Sequence, residues 1–348
     1  MVYHILVGSY TDTIVTLAFD AEKGTLEQIG ATKAGDRPSW LASYPGDDTL
    51  IYAALEGEDG QVAAFRYDRE KAEGTVVAQN STGGQAPCAL WVTKDEIFAS
   101  NYLPGTLAVL PITPEQPYFV GSSPQVIPFE GVGPNKERQE QSHAHYAVKI
   151  PTYNEVLVAD LGADKIWRLK KEGGQYVVRG EISFAAGAGP RHFAVYEGIL
   201  YTICELSDVV TAHTLPPLPK EDELLDSVPL ASPPNLPAEL LIPTPNATFP
   251  TPYIYVSDRN DFSPDGDLIS ILEPVDPSSK KLKLVTQVRS GLNHLRGLVV
   301  GGPDDKYLIA GGQNGGGVKM FERVDGGKGL KEIVAKADVE LPTHFLWV

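Results

Sequence analysis

Apolar positions along the chain fall in short runs with strand-like alternation, and no long stretch keeps the 3.6-residue spacing of an amphipathic helix. Gly, Pro and Asp turn signals separate the runs. The runs recur as a unit. "RPSWLASYPGDDTLIYAALEGEDGQVAAFRY" begins at Arg37, and "SHAHYAVKIPTYNEVLVADLGADKIWRLK" begins at Ser142. Similar units start at Ala86, Gly189, Leu236 and Asn293. Each reads as a polar pair, an apolar strand, a turn, a second apolar strand ending in a polar residue, a tight turn and a third alternating strand. Segments such as "GTVVAQNST" and "QYVVRGEIS" supply a fourth, outer strand. The period, roughly 47–57 residues, is that of propeller blades.

The termini complete the pattern. The closing "LPTHFLWV" matches only a first strand, and the opening "YHILVGSYTDTIVTLAFD" matches a second and third. Joined, they make a seventh unit and leave no free sheet edge at the seam. The sequence therefore predicts an all-β, seven-bladed β-propeller of four antiparallel strands per blade, with residues 3–9 paired to 343–348 and one domain over 1–348. The Pro-rich stretch 215–252 reads as a surface excursion, with a short helix expected at "KEDELLDS".

Composition narrows the function. Of 348 residues 42% are hydrophobic, ample for a large core, and the formal net charge is −16. No Lys/Arg cluster is present to track nucleic acid or an anionic membrane, so an anionic ligand must be met by a local positive site. No apolar run is long enough to span a bilayer. The N-terminus reads as a strand, lacking a basic region and cleavage site. Cys88 and Cys204 are the two cysteines; neither sits in a CxxC, and their number fits a reducing cytoplasm.

Blade geometry gathers the polar residues. The start of a first strand and the end of the antiparallel second strand meet on one face of the disc. Arg191 and His192 open the unit at Gly189, and Glu205 closes its second strand. By the same offset His143 and His145 meet Asp160, Glu239 meets Asp258 and Arg259, and His294 and Arg296 meet Gln313 and Asn314. Asn101 and Glu56 hold the matching positions in the earlier units. A ring of His, Arg and carboxylates at the channel mouth suits acid–base chemistry near neutral pH. It also suits a water-filled channel with structural ion pairs.

With "LVGSYT", "APC", "SHAHYAV…VADLGADKI", "GPRHFAV…YTICELSDVV" and "IYVSDRND", nearly the whole chain resembles the seven-bladed lactonase family. This family includes bacterial-type 6-phosphogluconolactonases and the fungal 3-carboxy-cis,cis-muconate lactonizing enzyme. The sixth unit departs from it, reading "NHLRG" where the phosphogluconolactonase pattern is closer to "NPRNF". The resemblance implies a site without metal or other cofactor, built from His145, Arg191, Glu205 and Arg259, acting on a small anionic lactone or carboxylate. His143, His192, Arg296, Asn101 and Glu239 are the added candidates for substrate binding. Arg191 is expected to hold the substrate's anion or oxyanion, and Glu205 to handle the proton or the water. Sugar-lactone hydrolysis leads. The alternatives are lactonizing cyclisation, a zinc hydrolase with His143, His145, His192 and Glu205 as ligands, and a non-catalytic scaffold.

Overall fold

The computed structural model describes residues 1–230 and 235–348. It forms seven four-stranded antiparallel sheets arranged as the blades of a propeller. The innermost strands of blades 1 to 6 are Pro38–Tyr44, Pro87–Val92, Ala144–Ile150, Pro190–Tyr196, Leu240–Leu241 and Asn293–Gly301. In blade 7 the inner strand Pro342–Trp347 pairs with Val2–Ser9, which is followed by Thr13–Asp20 and Thr25–Lys33. The expected closure of the ring by its two ends is therefore observed.

Apolar residues alternating along the strands meet between blades. The core is accordingly divided into seven clusters, one per blade interface. The seam is packed like the rest: Phe345, 1% exposed, lies with Ile5, Phe19, Ile309 and Met320 between blades 6 and 7. Gly297 and Gly311 admit its ring, since a Cβ at either would lie within 3.0 Å of it. Deleting residues 342–348 removes this packing and uncovers a strand edge. The truncated chain is expected to lose its cooperative melt, which circular dichroism during heating will read.

One local expectation is corrected. Lys220–Ser227 is not a helix; Leu224–Pro229 is the outer strand of blade 4, paired with Val209–Thr214. Leu225 and Val228 pack against the core shared with blade 5. A helix this short is marginal by itself, and pairing to a blade edge satisfies the backbone better. The expected excursion also runs through 231–234, which lie outside the described residues.

Candidate active site

Two repeated devices of the backbone build the mouth of the channel. The first is a β-bulge near the start of the inner strand. Ladder register slips at Ser39, Cys88, His145, Arg191 and Arg296, so each is an extra residue opposite its partner strand. A bulge re-aims one side chain. The second device is the residue just past the second strand, Tyr10, Glu56, Tyr102 or Glu205, with Arg259 one position further on in blade 5. In four blades its N–H donates to the carbonyl before the inner strand, at Leu341, Arg37, Ala86 and Gly189. All four of those residues have positive φ, between 45° and 64°, a strained choice for the three that are not glycine.

Both devices converge on a cavity of 190 Å³ lined by Glu56, Cys88, Tyr102, Arg138, His145, Glu205, Arg259 and Arg296. Below it, the next residues along four inner strands close the channel. Trp40 stacks on His344 with ring centres 3.9 Å apart, and Tyr146 stacks on His192 at 4.5 Å. His192 also meets the edge of Trp40 at 5.5 Å.

Glu205 is the hub of one wall. Its Oε2 pairs with Arg191 Nε at 2.9 Å and with Arg259 Nη2 at 2.5 Å. Its Oε1 accepts from Arg138 Nη2 at 2.5 Å. Burial raises the pKa of this carboxyl, but the guanidiniums of Arg259, Arg191 and Arg138 outweigh burial and hold it at about 2. A carboxylate so stabilised is a weak base. Arg191, 1% exposed, lies behind Glu205 and off the cavity wall; it donates to the carbonyl of Ala238. Burial lowers its pKa to about 10. The two residues meet as the sequence predicts, but their donors and acceptors are largely spent on the protein.

His145 presents a free nitrogen. Glu239 Oε2, an acceptor, sits 2.9 Å from His192 Nδ1, so that nitrogen carries the proton. His192 Nε2 is then an acceptor for His145 Nδ1–H, 3.1 Å away. The chain of tautomers leaves His145 Nε2 as a bare lone pair on the cavity wall, with no hydrogen bond to another described residue. Burial, and next the charge of Arg191, push the pKa of His145 well below its usual 6.5 and keep the ring neutral.

His145, Glu205, Arg259 and Arg296 thus line one cavity, with Arg191, His192 and Glu239 directly behind. His143 and Asn101 do not join them. The ring of His143 stacks on Tyr102 at 4.5 Å, and its nitrogens meet the Tyr102 carbonyl at 3.0 Å and Glu140 at 3.1 Å. Asn101 donates to Thr106 Oγ1 at 3.0 Å and to the carbonyl of Thr82. It is one residue before Tyr102, and a one-residue step along a strand turns a side chain to the opposite face. The four ligands of the zinc alternative have no common centre, since His143 turns outward and Glu205 is enclosed by guanidiniums. Among the described residues no three His, Cys, Asp or Glu side chains gather as a metal-ligand group.

The repeat did not point to Arg138, because it lies in the segment between blades 2 and 3, outside the repeated strands. Tyr10 and Tyr102 carry a legible signal: each directly follows a second strand, as Glu205 does.

A family model described as "Lactonase, 7-bladed beta-propeller" matches residues 4–347. The chain belongs to this family. It is 30% identical to the 6-phosphogluconolactonase of Bacillus subtilis, across 91% of this chain and 90% of that one. Two solved structures share the fold. One, from Bacteroides fragilis, has a TM-score of 0.86 at 24% identity and covers 100% of this chain and 98% of its own. The periplasmic gluconolactonase of Pseudomonas aeruginosa has a TM-score of 0.83 at 21% identity, covering 100% and 99%.

Proposed function

We propose that the protein hydrolyses a sugar lactone, 6-phosphogluconolactone before others, with His145 as the general base. The observation that carries this reading is the free Nε2 of a neutral, oriented imidazole facing a cavity rich in guanidinium. His145 takes a proton from water as its oxygen attacks the lactone carbonyl. Arg259, on the cavity wall, offsets the charge developing on the carbonyl oxygen. The tetrahedral intermediate collapses, the ring C–O bond breaks, and the imidazolium returns the proton to the leaving ring oxygen. The product is a hydroxy acid, whose carboxyl releases a proton at neutral pH. Glu205 serves as the clamp that fixes three guanidiniums. Arg191, Glu239 and His192 act from behind the wall, the last two as the relay that sets the tautomer of His145.

The name of the Bacillus relative supports hydrolysis over lactonizing cyclisation, and it supports a phosphorylated substrate. Arg138, with its side chain 36% exposed at the rim, is placed to meet that anionic group. We place the protein in the cytoplasm because Cys88 and Cys204 are buried and unpaired; no helix among the described residues is long and apolar enough to cross a membrane.

A panel of 6-phosphogluconolactone, glucono-δ-lactone and carboxymuconolactone, followed by acid release with and without EDTA, tests the reading. The phosphorylated lactone is expected to give the highest kcat/KM, unchanged by chelator. Turnover that disappears with EDTA and returns with zinc would reinstate a metal site. Turnover of carboxymuconolactone alone would move the substrate to the muconate class.

A further inference from the structure

The wall of the cavity opposite Glu205 has its own unused chemistry. Arg296 comes from the bulge of blade 6, and its guanidinium lies over the ring of Tyr10, 4.8 Å from the centre. Its side chain is 15% exposed, yet among the described residues no acceptor takes a hydrogen bond from it. Glu56 Oε2 is near, but at 3.6 Å it lies beyond hydrogen-bond reach. Glu56 Oε1 accepts the Tyr10 hydroxyl at 2.9 Å, while Oε2 is buried with no hydrogen-bond partner. The other two cavity arginines, Arg138 and Arg259, are engaged with Glu205. A buried carboxylate oxygen and a guanidinium that form an ion pair too long for a hydrogen bond, side by side on a cavity wall, leave donors and an acceptor for a ligand that both donates and accepts.

We infer that Arg296 and Glu56 read two neighbouring hydroxyl groups of the substrate, with Tyr10 holding both side chains in place. The inference rests on the lactonase reading above and narrows its substrate class. A hydroxyl accepts from Arg296 through its oxygen, and its neighbour donates to Glu56 Oε2. A phosphate or carboxylate fits this end poorly, because it would sit against the Glu56 charge. The anionic group therefore belongs at the Arg138 side. A lactone without hydroxyls would leave Glu56 Oε2 buried without a hydrogen bond, held only by its long ion pair with Arg296, so this end disfavours it.

The test compares glucono-δ-lactone with δ-valerolactone, which has the same ring and no hydroxyls, after subtracting spontaneous hydrolysis. Wild-type protein is expected to prefer the sugar lactone on the order of 100-fold or more in kcat/KM. In Glu56→Ala and Arg296→Met that preference should shrink on the order of tenfold or more, mostly through KM. Calorimetric titration with gluconate and with hexanoate runs in parallel, and circular dichroism with melting temperature shows that each variant is folded. Gluconate should bind wild type more tightly than hexanoate, and the variants should lose that difference. Equal treatment of the two lactones by wild type, or variants that retain the full preference, would overturn the inference while leaving the hydrolase intact. If no lactone is turned over, the hydrolase reading fails and the titrations alone decide this one: a gluconate preference lost in the variants supports it, and its absence overturns it. For a variant that does not fold, Glu56→Gln and Arg296→Lys replace it in both arms, with the same outcomes.

Discussion

Replacing His145 by alanine is expected to lower kcat by about 100- to 10,000-fold, the span that a positioned general base contributes. The residue is the bulge of the blade 3 inner strand, so the change removes a side chain on the cavity wall and leaves the core clusters intact. KM should move little, because the arginines remain. The pH profile gives a sharper reading. An imidazole with its usual pKa loses its base form below 6.5. Burial and the neighbouring guanidiniums push the pKa of His145 well below that value, so its base form persists to lower pH. The acid limb of kcat/KM should therefore lie below 6.5, with a plateau through neutrality. In Glu239→Gln the amide oxygen still accepts from His192 Nδ1, but a charge that raises the pKa of His192 is lost. The relay is then less able to support a proton on His145, so kcat should fall and the acid limb should move further down. An unmoved profile in Glu239→Gln, together with full turnover in His145→Ala, would remove the relay from the reaction.

The repeat made the blades, the ring closure and the face that carries the site legible, because strand periodicity and turn residues repeat with every unit. It also brought His145, Glu205, Arg259 and Arg296 to one mouth, since all four occupy equivalent ends of strands. Three features were harder to read. Bulges add a residue without a signature in the polar pattern, so alternation by itself does not separate His145 on the wall from His143 stacked outside it. The same difficulty placed Asn101 at the mouth where Tyr102 stands. Ion-pair partners cannot be counted from position alone. Glu205 looks like a free base in the sequence, and only the convergence of Arg138 from a non-repeating segment with Arg191 and Arg259 makes it a clamp. Finally, the Pro-rich stretch hid a strand, Leu224–Pro229, because the prolines and acidic run before it read as a loop and a short helix, and only pairing with the preceding strand Val209–Thr214 fixes it as extended.

Glu205→Gln distinguishes a clamp from a base by what it does to the fold. Glu205 holds three guanidiniums from three segments of the chain, with Arg191 fully buried. Removing one partner of a buried ion group leaves the others uncompensated, at a typical cost of about 3–5 kcal/mol. The pKa points to a similar magnitude: a fall from the ordinary 4.5 to about 2 corresponds to roughly 3 kcal/mol favouring the charged, folded form. Because the folded pKa is depressed, this stability is fully present above 4.5 and drains away as pH falls from 4.5 toward 2. Wild-type protein should therefore lose stability across that window, and Glu205→Gln, which has no proton to bind there, should start less stable and decline less steeply. Its melting temperature at pH 7 should drop by several degrees. Turnover should also fall, because Arg138 and Arg259 lose the carboxylate that aims them, yet the acid limb set by His145 should stay where wild type has it. Were Glu205 the base, the same variant would keep its melting temperature and its stability profile while turnover collapsed. Melting curves between pH 2 and 7 and a pH–rate profile on this one variant separate the two roles.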